Sequence, residues 1–245
     1  MLILGVDSSA KSASAAILNG TDGGKLLSEV NSGGNLSHSE NLLPMIDCAL
    51  KIAGVGINNI DLFAVASGPG SFTGIRIAVA TIKGLAFGFH ENNNENNIAN
   101  CVSVSSLFAL AHNFAGLDIN KAIICPVIDA RRRQVYNAVF TLKSGKPHYM
   151  TADRIITVDE LIAELEQYDD MTIIFTGDAA DICHDEINFA ERKIKVIKSP
   201  EILKRPSGYA ICTAALRKYN ENGAISANAL APAYLIKTQA EREYE

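Results

Sequence analysis

Three places in this chain carry residue types that could do chemistry. Asp7 and Asp129 each close a short apolar run, Leu2–Val6 and Ile123–Ile128. A carboxylate at a strand end can serve a site, or it can cap its own turn. Between them lies Ser67-Gly68-Pro69-Gly70-Ser71-Phe72-Thr73-Gly74-Ile75-Arg76. A glycine-rich turn that feeds a helix can cradle phosphate on its backbone amides. The Walker A pattern needs Gly-Lys-Ser/Thr at its end, and here Gly74 is followed by Ile75-Arg76. In the dinucleotide pattern the third glycine would come one place before Gly74. A phosphate cradle and a purely structural tight turn both remain open for this loop. The third place is the basic run Arg131-Arg132-Arg133, a phosphate or RNA contact or a solvated hairpin turn.

Other constellations are missing. His38, His90, His112, His148 and His184 are too far apart to form the H-E-x-x-H pair of a metal hydrolase. Ser71 sits at a strand–helix elbow without the G-x-S-x-G frame of a serine nucleophile. Cys48, Cys101, Cys125, Cys183 and Cys212 include no C-x-x-C pair, which suits reduced, mostly buried thiols better than a zinc site or disulfides. No catalytic residue, metal set or cofactor motif emerges.

The elements that position these residues follow from the apolar spacing. Leu2–Val6, Ala15–Leu18 and Lys25–Val30 read as an antiparallel meander with turns at Asp7–Ser12 and Asn19–Gly24. Ser37 and Glu40 form a capping box for a helix carrying Leu42, Met45, Ile46, Ala49, Leu50 and Ala53, with Pro44 as a kink or first turn. Leu62–Ala66 is a buried strand, and Ile77–Phe89 a helix that is apolar all round, so buried on more than one side. Its small residues Ala80, Gly84 and Gly88, like Gly74 and Ala78, recur at four-residue spacing, which lets a second helix approach closely. Glu91–Asn97 is a polar loop without chemistry. A strand over 98–102 and a helix over 105–114 close the first half.

The second half repeats the plan: strand, aspartate, polar turn, returning strand over Val135–Phe140. A capping box at Thr157 and Glu160 starts a helix through Glu166. Strands follow at Met171–Thr176 and Lys195–Ile197, and a helix from Pro206 as its first residue to Asn222. Residues 1–117 and 118–245 thus form two β-meander-plus-helix halves. This resembles the duplicated α/β fold of actin, sugar kinases and the large heat-shock ATPases, which hold nucleotide between their halves. In such a fold Asp7 and Asp129 would face the cleft that holds phosphate and magnesium. Gly177-Asp178-Ala179-Ala180 lacks the paired glycines that approach an adenosine there.

The chain as a whole limits the partners. The net charge is −5, which disfavours nucleic-acid binding by this chain alone. No apolar run approaches the ~20 residues of a membrane span, and Met1–Leu4 lacks the basic start of a signal peptide, so a cytoplasmic protein is expected.

Gly68 to Arg76 closely resembles the signature of the bacterial TsaB (YeaZ) family. His38-Ser39-Glu40-Asn41-Leu42-Leu43-Pro44 is similar to its first-helix motif, and Asp129 to Tyr136 to the opening of its second domain. The resemblance runs through nearly the whole chain, with the Asn-rich loop as the main departure. It implies an actin-like (ASKHA) fold and a non-catalytic paralogue of TsaD, the subunit that makes threonylcarbamoyladenosine next to the anticodon of tRNA. TsaD carries metal-binding histidines on a first-domain helix; Val104–Leu110, the similar place here, has none. It further implies docking on TsaD through the first two long helices, a surface for the ATPase TsaE on the complex, a homodimer in isolation, and only indirect contact with tRNA. Helix spacing selects Leu42, Met45, Ile46 and Ala49 with Gly74, Ile77, Ala78, Thr81 and Gly84 as the docking residues. A charge at Ala78 is then expected to abolish pairing and spare the fold. The competing expectation is an actin-like ATPase or phosphotransferase using Asp7 and Asp129.

Overall fold

Strand β1 (Leu2–Asp7) is buried along almost its whole length because it lies in the middle of a sheet. Its neighbours are β2 (Ser14–Asn19) and β3 (Lys25–Asn31) on one side, β4 (Leu62–Gly68) and β5 (Asn100–Ser105) on the other, in the order β3-β2-β1-β4-β5. The first three strands pair antiparallel; β1–β4 and β4–β5 are parallel. Being covered on both faces, β1 and β4 read as continuous apolar runs rather than alternating ones. The structure is a computed structural model that describes residues 1–21, 24–33, 38–92, 99–117, 119, 121–189 and 195–235. Ser37 of the first capping box, most of the Asn-rich loop, residue 98 of the strand expected over 98–102, Asp118 and Asn120 of the linker, and the tail from Ile236 lie outside the described residues.

Helices α1 (His38–Ala53) and α2 (Phe72–Asn92) cover one face, where Leu42, Met45, Ile46, Ala49, Ile75, Ala78 and Ile82 pack on Leu4, Val6, Phe63 and Val65. Pro44 sits inside α1. Helix α2 begins at Phe72, five residues before the expected Ile77. Helix α3 (Ser106–His112) lies on the opposite face, its N-terminus capped by Ser105, whose Oγ accepts the Phe108 amide.

The second sheet repeats the first. It contains β6 (Ala122–Arg131), β7 (Gln134–Asn137), β8 (Phe140–Lys143), β9 (Lys146–Tyr149), β10 (Arg154–Thr157), β11 (Thr172–Thr176) and β12 (Lys195–Lys198). Its spine runs β10-β7-β6-β11-β12, again antiparallel, antiparallel, parallel, parallel, with the β8–β9 hairpin added beside β6. The same order and the same directions in both sheets make this a duplicated actin-like α/β fold. Helices α4 (Val158–Leu165) and α5 (Ala180–Phe189) cover one face, and the Thr157–Glu160 capping box is formed reciprocally.

Two local expectations are corrected. The returning strand stops at Asn137, fully buried, whose amide donates to the Pro126 carbonyl at 3.0 Å while its oxygen takes Arg154; Phe140 then belongs to a new hairpin. Helix α6 (Gly208–Asn222) starts after Pro206, because Ser207 is the cap and accepts the Ala210 amide at 3.1 Å. The division at 117/118 separates the two sheets but not the two bodies. Helix α6 returns to the first sheet, with Gly208 against Ala16 and Gly5 against Cys212, where a Cβ would meet other atoms at about 2.5 Å.

Candidate functional site

The glycine-rich loop is clamped from two sides. Ser71 N–H donates to the Ser9 carbonyl at 2.7 Å, and Ser8 Oγ donates to the Gly74 carbonyl at 2.8 Å. A Cβ on Gly74 would lie 1.9 Å from the Ser8 carbonyl oxygen, and one on Gly70 2.3 Å from that of Ser9. On the other side Ala233 N–H donates to the Ser67 carbonyl at 2.7 Å, and a Cβ on Gly68 would lie 2.7 Å from the Ala233 carbonyl oxygen. Each glycine of the signature is therefore required by another backbone. The amides of Ser71 and Gly74 are spent inside the protein, the latter on Ser71 Oγ, so of the two readings of this loop the structure favours the junction over the phosphate cradle.

The aspartates are placed differently from one another. Asp7 is buried and accepts the Ser9 amide at 2.8 Å, which is the capping role. Asp129 accepts the Arg131 amide at 2.8 Å and pairs with its guanidinium at 3.4 Å. A cleft of about 630 Å³ opens between the halves, lined by Ser9, Lys11, Phe72, Asp129, Arg131 and Asp178 among others, and Asp7 is not in its wall. Asp178 was not singled out by sequence. Its Oδ1 accepts the Asp129 amide at 2.9 Å, and burial pushes its carboxyl up, with the Asp129 charge adding to the effect. The available signal was Gly177: a Cβ there would lie 2.1 Å from the Val127 carbonyl oxygen, so Gly177-Asp178 repeats in the second half the close approach made by Gly74 in the first.

The three arginines form a turn with all three backbones left-handed (φ 71°, 53° and 57°). Arg133 is held by Glu186 at 3.0 Å and Asp159 at 3.2 Å, so two of the three guanidiniums face acids of their own chain. His112 is buried against the Phe108 ring, and burial lowers its pKa to about 4. Among the described residues no group of three or more His, Cys, Asp or Glu side chains is placed to hold a metal ion. Four free cysteines are buried, and burial pushes Cys101 up to about 11 and Cys183 to about 12; Cys48 alone is exposed, on α1.

Most of the selected docking residues lie on the inner sides of their helices. Leu42, Met45, Ile46, Ala49 and Ala78 are buried against the first sheet, and Gly74 is locked under Ser8. Ile77 and Thr81 are half-buried; only Gly84 is exposed. The reason is physical: helix spacing finds the apolar stripe, and that stripe goes to the chain's own sheet. The face left outside carries Leu43 (52% exposed), Cys48 and Ile52 (63%) on α1, with Ala80, Gly84, Phe87 (42%) and Gly88 on α2. Among the described residues, nothing lies within 4 Å of where a Cβ on Gly84 or Gly88 would stand.

Residues 34–244 match the family described as TsaD: tRNA N6-adenosine threonylcarbamoyltransferase. The tRNA threonylcarbamoyladenosine biosynthesis protein TsaB of Haemophilus influenzae is 32% identical over 137 residues, 56% of this chain and 52% of that one. TsaB of Bacillus subtilis is 30% identical over 141 residues, 58% and 56% of the two chains. The chain belongs to the TsaD family, on its TsaB (YeaZ) branch. It spans about half the length of the curated TsaB relatives it matches. The structure of YeaZ from Pseudomonas aeruginosa superposes with a TM-score of 0.73 at 24% identity, covering 96% of this chain and 99% of that one, which shows the shared fold. In this TsaB-type chain α3 carries a histidine only at its last position, His112, and that ring is turned into the core with Nδ1 2.9 Å from the Phe108 carbonyl. Among the described residues no helix is long and apolar enough to cross a membrane.

Proposed function

We propose that this chain is a non-catalytic subunit of tRNA threonylcarbamoyladenosine formation that docks on a TsaD-type transferase through the outer face of α1 and α2. The observation that carries this reading is the pair Gly84 and Gly88. Each sits on the exposed side of a 21-residue helix, and among the described residues no atom lies within 4 Å of where its Cβ would stand. A glycine at such a position costs roughly 1 kcal/mol relative to alanine, and at Gly84 no neighbour among the described residues needs the space that a Cβ would fill. Close approach of another helix backbone would need it, by ridge-and-groove packing. Leu43 and Ile52 on α1 and Phe87 on α2 add exposed apolar area to the two helices. The names of the relatives supply the process, and the buried His112 and capping Asp7 support a subunit that leaves the chemistry to its partner. Activation of the transferase then comes from assembly, with TsaE acting on the complex in the cytoplasm. In isolation the same face pairs with a second copy, since apolar patches of this kind rarely stay solvated. Transfer RNA is reached through the complex, in keeping with a net charge of −5 and two paired arginines. The chain needs no metal or cofactor of its own.

The test is an omission assay with TsaC, TsaD, TsaE, ATP, threonine, bicarbonate and tRNA. Modification should require this chain and survive Asp7→Asn and Asp129→Asn. Gly84→Glu should abolish co-elution with TsaD while the far-ultraviolet spectrum is unchanged; retained co-elution would refute the surface. Ala78→Glu cannot serve as that probe, because Ala78 is core.

The cleft favours a second reading, a ligand-binding site between the halves, because Lys11 of the first half lines it together with Asp129, Arg131 and Asp178 of the second. Millimolar ATP and magnesium would raise the melting temperature if the site binds nucleotide. With the Ser71 and Gly74 amides taken by the chain itself, no shift is expected, and a shift lost in Asp129→Asn would favour the ATPase reading instead.

A further inference from the structure

After α6 the chain crosses the edge of the first sheet and runs back over α2. Its first part is firmly seated. Ile225 and Cys101 exchange backbone hydrogen bonds at 2.9 and 3.0 Å. Ala227 and Leu230 are buried in the core beneath α1 and α2, and Lys83 Nζ donates to the carbonyls of Asn228 (3.3 Å) and Leu230 (3.1 Å). The remainder is held differently. No residue from Ala231 to Leu235 is buried. Among the described residues it is tied down by Ala233 N–H to the Ser67 carbonyl at 2.7 Å, Arg76 Nε–H to Tyr234 Oη at 2.7 Å, the Tyr234 ring against Phe72 at 5.3 Å and the Arg76 guanidinium 5.7 Å over the Tyr234 ring. The Arg76 guanidinium in turn lies 3.8 Å over the Phe72 ring.

We infer that Ser226–Tyr234 is a strap with a fixed proximal half and a releasable distal half, latched by Tyr234 on Arg76 and Phe72, whose release loosens both the start of α2 and one wall of the interlobe cleft. Solvent-exposed hydrogen bonds and ring contacts with no buried apolar anchor mark a segment that opens well below the global unfolding free energy. The hinge is Leu230–Ala231, where burial stops. Phe72 makes the opening consequential, because it is at once the first residue of α2, a wall residue of the cleft and the seat of the latch. Gly68 shows that the closed strap is built in: the space a side chain would fill there holds the Ala233 carbonyl. A bound group that takes the Tyr234 ring or the Arg76 guanidinium would open the strap and reach the α2 face and the cleft together.

Amide hydrogen exchange on the full chain tests this without any partner, so its failure is separable from failure of the docking reading. In Tyr234→Ala, the amides of Ser71, Ile75 and Ala233 should exchange about tenfold faster, the factor for losing one net hydrogen bond and one exposed ring contact. Amides of β1 and β2 should keep their wild-type rates. Tyr234→Phe, which retains the ring, should fall between. Leu230→Ala, in the proximal half, should instead weaken protection across the first sheet. Unchanged rates at Ser71 and Ile75 in Tyr234→Ala would overturn the latch. An equal rise in β1 and β2 would overturn the separation of the two halves.

Discussion

Two glycines of α2 stand in opposite environments, and the same substitution should have opposite effects on them. Gly74→Ala places a methyl group 1.9 Å from the Ser8 carbonyl, so either the β1 turn or the start of α2 must move. A loss of about 2–4 kcal/mol, read as a lower urea midpoint, is expected. Gly84→Ala meets open space and should stabilise the isolated chain by about 0.5–1 kcal/mol, while weakening its pairing with TsaD. If pairing is untouched, the small residue is not there for a partner. His112 gives a pH signature at the same scale. Its folded pKa of about 4 lies below the unfolded value near 6.5, so the folded state holds the ring neutral. Its contribution is fully present above pH 6.5 and is lost as pH falls toward 4, about 3 kcal/mol in total. Urea melts from pH 7.5 to 4 should therefore fall more steeply for the wild type than for His112→Gln, and parallel curves would mean the folded ring titrates normally.

Helix α6 shows how an element is bound to the half it did not start in. Glu29 Oε1 accepts from Ser14 Oγ (3.0 Å), Ser207 Oγ (2.9 Å) and the Tyr209 amide (3.1 Å), placing a carboxylate at the N-terminus of α6. Ser14 Oγ accepts the Gly208 amide at 2.7 Å. Glu29→Ala removes a charge that suits the helix dipole and strands three donors, and should cost about 2–3 kcal/mol in urea denaturation. Glu29→Gln, keeping an acceptor, should cost less than half of that. The outer face of α1 offers a chemical probe of the docking helices. Cys48 is the single exposed thiol among the five, the others being buried and their pKa values raised by that burial. A bulky maleimide should therefore label one site in the native chain and block pairing with TsaD. Labelling without loss of pairing would move the surface away from α1.

For the whole molecule, the two sheets are alike in order and direction, yet they carry different loads. The first has α1 and α2 on one face and α3 and α6 on the other, so both its faces are covered and α2 is free to present an outer side. The second carries α4, α5 and the acidic pair Asp129 and Asp178 at the cleft. Because α6 and the strap rejoin the first sheet, the halves should not melt independently: one calorimetric transition is expected, and two well-separated ones would show that α6 does not couple them.

Much of this was written in local sequence. Leu2–Asp7, Leu62–Gly68 and Thr172–Thr176 declare themselves because a strand covered on both faces must be apolar throughout, and Thr157-x-x-Glu160 because a capping box is a contact within one turn. The repeat of strand, aspartate and turn at Asp7 and Asp129 revealed the duplication for the same reason, since each unit is local. Tertiary structure alone decided the rest. Periodicity marked Leu42, Met45, Ile46, Ala49 and Ala78 as one side of a helix, but whether an apolar stripe meets its own sheet or a partner depends on what packs beneath it. The glycines of the signature could not be assigned from spacing, because the atoms that exclude a side chain belong to Ser8, Ser9 and Ala233, the last more than 150 residues away. The return of α6 was hidden likewise: Glu29 and Ser207 are 178 residues apart, and a single shared carboxylate leaves no period in a sequence to read.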